Sequence, residues 1–208
     1  LGMRITIIGA GNVGTALARG WKKAGHEPGF ALRDPESDSA SKAKAAGFSV
    51  AGLADAGKGD VIVLAVPWPA VEGALKGAGA LAGKILVDAT NPLDENLDLA
   101  FGYDDSAGEA VARLARGARV VKAFNTTGAD NMDKASAFPV KPMMPVAGDD
   151  AEAKEVVSRL ADSLGFEAVD AGPLSAARLL EPLALFWIRQ AFGPRGGPAF
   201  AYAFVTRP

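Results

Sequence analysis

Short runs of consecutive apolar residues alternate along the chain with stretches in which apolar positions recur every three or four residues. Arg4 to Gly9, with Ile5, Ile7 and Ile8, reads as a buried strand. Asn12 to Ala24 places Val13, Leu17, Trp21 and Ala24 at helical spacing and stops at Gly25. Phe30 to Arg33 predicts a second strand, and Ser37 is placed to cap an Ala- and Lys-rich helix that runs to Gly47. Phe48 to Val50 predicts a short third strand. Asp60 to Val66 predicts a fourth, whose unbroken apolar character fits a parallel strand covered on both faces, with Pro67 ending it. Ile85 to Asp88, Arg119 to Phe124, Met144 to Ala147 and Phe166 to Val169 repeat the theme, with helical stretches between them. Such alternation predicts an α/β fold with a doubly wound, mainly parallel sheet. No flexible linker or internal repeat interrupts it, so one domain is expected over residues 3–208, with 140–208 as a short C-terminal α/β extension.

Composition narrows the chemistry more than the architecture. The 208 residues include no Cys and one His, which removes disulfides, thiol nucleophiles and iron–sulfur clusters and disfavours a histidine-built metal site. Against 24 acidic residues stand 22 basic ones without a basic run, so nucleic acid is not the expected partner. The apolar stretches Val61 to Val71 and Leu179 to Ile188 fall short of the roughly 20 residues of a membrane helix, and Glu181 and Pro182 interrupt the second. A chain that enters a strand at Met3 without a charged and apolar leader is expected to be cytoplasmic. Leu1-Gly2 reads as a remnant of expression without structural weight. The long connection from Asn91 to Gly108 carries Asp94, Glu95, Asp98, Asp104 and Asp105, but their spacing fits no calcium loop, and a solvated acidic loop is expected.

Gly9-Ala10-Gly11-Asn12-Val13-Gly14 is a G-x-G-x-x-G that follows an apolar strand and opens a helix. In this context Gly9 permits the tight turn, Gly11 clears the approach of a pyrophosphate, and Gly14 lets helix and strand pack closely. The helix N-terminus adds N–H groups and partial positive charge for the phosphates, so dinucleotide binding is expected over Gly9 to Gly14. Gly79 to Ile85 is one residue short of a P-loop and carries Ile85 where Ser or Thr must hold magnesium. At the end of the second strand stands Arg33, whose planar donor fork suits a ribose 2′-phosphate, so NADP(H) is expected over NAD(H). The alternative for Arg33 is a solvated residue at a strand end. Asp34, before Pro35, is expected to cap the next turn.

A reductase acting on a carbonyl needs a proton donor beside the hydride acceptor. Neither Tyr103 nor Tyr202 is followed by Lys four residues on, and His26 sits in the turn Gly25-His26-Glu27-Pro28, on the side of the sheet away from the expected cofactor cleft. Lys122 is the clear cation inside a predicted strand. It is open between a proton donor or anion-binding group and a structural ion pair or snorkelling stem. No residue is assigned as acid or base. An acceptor that takes hydride on a conjugated ring would not require one.

These residues resemble the coenzyme F420-dependent NADP oxidoreductases over nearly the whole chain. The segments that carry the resemblance are Gly9 to Gly14, Arg33, Ala65-Val66-Pro67-Trp68, Asp88-Ala89-Thr90-Asn91-Pro92-Leu93, Phe124-Asn125-Thr126-Thr127-Gly128-Ala129, and Asp170-Ala171-Gly172-Pro173-Leu174-Ser175 followed by Arg178-Leu179-Leu180-Glu181. The resemblance implies a Rossmann sheet with a short C-terminal extension, a homodimer, and hydride transfer between NADP(H) and the deazaflavin F420 or a similar small planar redox acceptor. It implies that Val66, Pro67 and Asn91 join the cofactor site, and that Trp68, Asn125, Thr126 and Thr127 border the acceptor. For Trp68 the alternative is a core anchor. Asn125 stands where some members of the family carry His, and relatives on this scaffold reduce flavins and metal chelates as well. Two further readings are an imine reductase of the pyrroline-5-carboxylate type, which needs a large helical C-terminal domain, and a non-catalytic NADP-binding module.

Overall fold

The computed structural model describes residues 2–208. Leu1, expected to be an expression remnant, lies outside the described residues. Gly2 carries more structural weight than expected, because a Cβ on it would fall 2.3 Å from the Gly25 carbonyl oxygen.

In chain order the elements are β1 (Arg4–Ile8), α1 (Asn12–Lys23), β2 (Glu27–Leu32), α2 (Asp38–Ala45), β3 (Ser49–Gly52), β4 (Val61–Leu64), α3 (Val71–Gly77) and β5 (Ile85–Asp88). There follow α4 (Ala107–Leu114), β6 (Arg119–Lys122), α5 (Ala129–Met132), β7 (Met143–Gly148), α6 (Ala151–Ser163), β8 (Glu167–Gly172) and α7 (Ala177–Ala191). All eight strands join one sheet in the order β3-β2-β1-β4-β5-β6-β7-β8. The chain starts in the middle, winds outward through β2 and β3, then crosses to β4 on the other side. The strand order therefore reverses between β1 and β4, which is where open α/β sheets bind their ligands.

Alternation along the central strands divides the core into two layers. Ile5, Ile7, Val61, Val63 and Val87 pack with Leu17 and Trp21 of α1 and Val157 and Leu160 of α6. Ile8, Ile62, Leu64 and Leu86 pack instead with Val71 and Leu75 of α3 and Val111 of α4. Each central strand is thus apolar on both faces, as its unbroken sequence run required. Trp21 is fully buried, meets Phe124 edge-on at 5.4 Å, and donates Nε1–H to the Leu160 carbonyl at 3.1 Å. Truncating such a residue to Ala typically costs about 3–5 kcal/mol.

One feature departs from a sheet wound in a single sense. β7 runs antiparallel to β6, pairing Lys122 with Ala147, and β8 is parallel to β7. Between β6 and β7 the regular elements are the four-residue α5 and a short 3₁₀ turn, and no long helix packs on the sheet there; the strand returns beside its neighbour in reverse. The N-terminal part of β7 consequently reaches past the end of β6, where the Met144 sulfur accepts the Phe124 N–H at 3.2 Å. Among the described residues no helix is long and apolar enough to cross a membrane.

Candidate functional site: the carboxyl edge of the sheet

A cavity of about 820 Å³ opens at the carboxyl ends of β1, β2 and β4, lined by Gly9, Ala10, Gly11, Arg33, Val66 and Pro67 among others. The glycines have three different jobs there. Gly9 sits at φ 107°, and a Cβ on it would lie 2.3 Å from the Ala65 carbonyl oxygen. At Gly14 a Cβ would lie 2.1 Å from the Gly9 carbonyl oxygen, so this glycine lets α1 sit against the turn. At Gly11 a Cβ would meet no atom within 4 Å. Gly11 is spared a side chain not by the protein's own packing but by the space in front of it. The same residue is the N-cap of α1, with no side chain capping it and no acidic residue in the first turn. Unneutralised N–H groups there offer partial positive charge to an anion.

Arg33 is exposed at the end of β2 and lines the cavity. Asp34 also lines the cavity and is engaged locally, its carboxylate accepting the Glu36 N–H at 2.9 Å and its carbonyl the Ser37 N–H. Ser37 caps α2 through the Ala40 N–H at 3.2 Å, as its position before the helical run predicted. Ser37 and Ser39 also line the cavity, which the sequence pattern alone did not reveal. Their signal was available, since both follow Arg33 within one turn of a helix start. Asn12 is exposed on α1 and Val13 packs on the core, and neither lines the cavity.

Trp68 is half-buried, packs on the α3 side of the core, and meets Phe101 edge-on at 5.4 Å. Phe101 belongs to the long connection after β5 and had no distinguishing signal in the sequence. On the neighbouring strands the polar residues are turned inward. Asn91 donates Nδ2–H to the Asn125 carbonyl at 3.0 Å, and its Oδ1 accepts from Asn125 Nδ2 at 3.1 Å. Asn125 Nδ2 also reaches the Leu180 carbonyl of α7 at 3.2 Å, while Asn125 Oδ1 is buried without a partner among the described residues. Thr126 is buried, and Thr127 Oγ1 accepts from Asn131 Nδ2 at 2.9 Å. Asn91, Asn125, Thr126 and Thr127 lie outside the lining of the large cavity. Phe124, which leads into this segment, adopts φ 60°, a left-handed conformation uncommon for a bulky residue.

The C-terminal segment closes over these residues. The Trp187 ring lies so near Gly128 that a Cβ there would be 2.2 Å from it. Trp187 stacks on Phe200 at 5.0 Å and donates Nε1–H to the Phe200 carbonyl, which also accepts from Asn131.

Lys122 is fully buried, which rules out a snorkelling stem reaching water. Its ammonium donates to Asp88 Oδ2 at 2.9 Å and the Thr90 carbonyl at 2.6 Å, and pairs with Glu181 Oε1 at 3.0 Å. Glu181 also accepts the Ala107 and Gly108 N–H groups at the start of α4. Burial pushes the Glu181 carboxyl up from its ordinary value, while Lys122 and the Ala107 N–H pull it down. A glutamate inside the apolar run Leu179 to Ile188 was the sequence signal for this partner. His26 is half-buried, and its Nδ1 accepts the Met3 N–H at 3.2 Å, a fastening of the β1 entrance. Within the acidic connection, Asp94 accepts the N–H groups of Asn96 and Asp98, and Asp105 pairs with Arg113. No group of three or more potential ligands able to hold a metal occurs among the described residues.

Comparison with known proteins bears on the family and the fold. Residues 4–92 match the family model described as NADP oxidoreductase coenzyme F420-dependent. An F420-dependent NADP reductase of Methanothermobacter marburgensis is 32% identical over 208 aligned positions, covering 87% of this chain and 89% of that protein. The crystal structure of a candidate F420-dependent NADP-reductase from Arthrobacter sp. FB24 superposes with a TM-score of 0.90 at 34% identity, covering 99% of this chain and 100% of that one. The rat metalloreductase STEAP3 is 36% identical over 108 residues, but the match spans 52% of this chain and only 21% of that protein.

Proposed function

The chain belongs to the coenzyme F420-dependent NADP oxidoreductase family, and on that premise we propose that it transfers hydride between NADP(H) and F420 or a similar planar redox ring. It is an NADP-dependent oxidoreductase of that type. The observation that carries the cofactor reading is the open space at Gly11, facing an uncapped helix N-terminus and sharing a cavity with Arg33. When bound, NADPH supplies the hydride. Gly9 to Gly14 hold the pyrophosphate, with Ala10, Asn12 and Val13 contributing backbone at the turn. Arg33 meets the 2′-phosphate, joined by the hydroxyls of Ser37 and Ser39. Val66 and Pro67 border the nicotinamide, and Asn91 fixes the adjoining loop.

The acceptor side is formed by Trp68 and by the segment of Asn125, Thr126 and Thr127, with residues 140–208 completing the cleft. Trp68 serves as both wall and anchor, since it is half-buried against Phe101. No residue is assigned as acid or base, because an acceptor whose charge is delocalised over a ring can take its proton from solvent.

We also infer a homodimer. Leu179, Leu183 and Phe186 repeat at i, i+4 and i+7 on α7, and Leu179 and Phe186 are 66% and 57% exposed. Light scattering at twice the chain mass checks it.

The reaction is tested by following NADPH oxidation against F420, flavins, quinones and ferric chelates. Trp68→Ala is expected to lower turnover of the accepted ring at least about tenfold, because hydride transfer depends sharply on position, while the NADPH Kd moves less than about threefold. If no deazaflavin or flavin is reduced, the proposal fails and a non-catalytic NADP module becomes the better account.

A further inference from the structure

The buried cluster Asp88–Lys122–Glu181 holds more than two strands together. Asp88 and Lys122 are register partners on β5 and β6, so an ion pair between them would already join the strands. Yet the ammonium has three partners, and the other two come from elsewhere: the Thr90 carbonyl and Glu181 of α7. Asp88 turns its second oxygen to Thr90, accepting the N–H at 2.9 Å and Oγ1–H at 2.6 Å. Glu181 takes the first N–H groups of α4, from Ala107 and Gly108, at 3.0 and 3.1 Å. Thr90 and Ala107 are the two stems of the long connection between β5 and α4. One buried cation and its two carboxylates therefore grip both ends of that connection.

The gripped segment reaches the proposed acceptor side at two points: Asn91, bonded to Asn125, and Phe101, packed on Trp68. Its far part is tied to α7 by an ion pair between Asp98 and Arg189. Burying three ionisable groups carries a large desolvation cost, and apolar residues of similar volume often support a fold equally well. We propose that Lys122 and Glu181 are positioning residues, holding residues 89–106 and so the Trp68–Phe101 wall in the geometry that hydride transfer requires. This inference rests on the reading of that wall as the acceptor side.

The test is a charge-free variant, Asp88→Asn with Lys122→Met and Glu181→Met, compared with wild type by circular dichroism, hydrogen exchange and kinetics. Asn at 88 keeps an oxygen for Thr90, and no uncompensated charge is left buried. The expected result is a folded protein with an NADPH Kd within about threefold of wild type. Exchange at the Ala100 amide, which donates to the Pro92 carbonyl and touches none of the substituted groups, should be at least about tenfold faster. Turnover should fall at least about tenfold. A folded variant with wild-type Ala100 exchange and wild-type turnover overturns the proposal. If the triple variant does not fold, Glu181→Gln replaces it, and unchanged Ala100 exchange and turnover there overturn it equally. Should wild type reduce no acceptor, the exchange measurement still decides whether the cluster holds the connection.

Discussion

At the carboxyl ends of β1, β2 and β4 the protein presents backbone and small side chains to an open cavity, whereas at the ends of β5 and β6 it spends its polar groups on one another. In the first region Gly11 faces empty space and Arg33 is exposed. In the second, Asn91 bonds Asn125, Asn131 bonds Thr127, and Lys122 is sealed between two carboxylates. One side of the sheet edge thus leaves room and directs dipoles outward, and the other holds a fixed shape. Under the proposed function, the charges of a dinucleotide would be met by vacancy and N–H groups, and a planar ring with fewer charged handles would be positioned by rigid walls.

The largest effect is expected at Gly11. Gly11→Val places its side chain in free space, so the protein should remain folded while NADPH binding is lost, beyond about 100-fold in Kd. Gly14→Val is the contrasting case, since its Cβ would collide with the Gly9 carbonyl and the fold itself should suffer. Circular dichroism and a cofactor titration separate the two, and retained NADPH affinity in Gly11→Val would show that the turn is only structural. Arg33→Ala should have the next largest effect. A hydrogen bond to a charged group contributes roughly 1.5–3 kcal/mol, so NADPH affinity should drop about 10- to 150-fold with NADH almost unchanged. Equal losses for both cofactors would remove the 2′-phosphate from the argument.

The smallest effect belongs to the fixed side and its dependence on pH. Hydrogen bonds from Arg178 hold the Glu109 carboxyl below its ordinary value of 4.5, with Ser106 adding to the effect against burial. The Arg178 fork spans both carboxylate oxygens at 2.9 and 2.7 Å and ties α7 to α4. A lowered folded value means that the contribution to stability is complete above pH 4.5 and disappears as pH falls through the folded value. Glu181 has the opposite sign, because its raised value makes its contribution weaken as pH rises from 4.5. Glu109→Gln should therefore destabilise at neutral pH by about fivefold or less in the folding constant, a modest effect for a partly exposed pair. The difference from wild type should vanish in acid. A urea midpoint difference that persists unchanged at about pH 3 would contradict this linkage.

Part of this arrangement is legible in the sequence. The glycine spacing after β1 and the Ser37 cap are local signals, each decided by a few neighbouring residues, and they stand where the sequence placed them. Some strand ends match their expected positions, as at β5, and others differ by up to three residues, as at β2, which begins at Glu27 rather than Phe30, because pairing with β1 extends it backward. The polar residues after β6 are recognisable as unusual, but nothing in Phe124-Asn125-Thr126-Thr127 says that they are buried. That depends on Leu180, Trp187 and Phe200, which arrive from far along the chain.

The alternating elements, the doubly wound core and the glycine turn after β1 were all readable from the chain alone, since apolar period and glycine stereochemistry act over a handful of residues. The reversal of β7 and β8, the pairing of Trp68 with Phe101 and the partners of Lys122 depend on contacts between distant segments. A lysine in a strand reads the same whether it meets water or two carboxylates, because its charge state and role follow from what surrounds it. Here the surroundings are Asp88 and Thr90 from the end of β5 and Glu181 from α7, segments distant in the chain that the fold brings within 3.0 Å of one nitrogen.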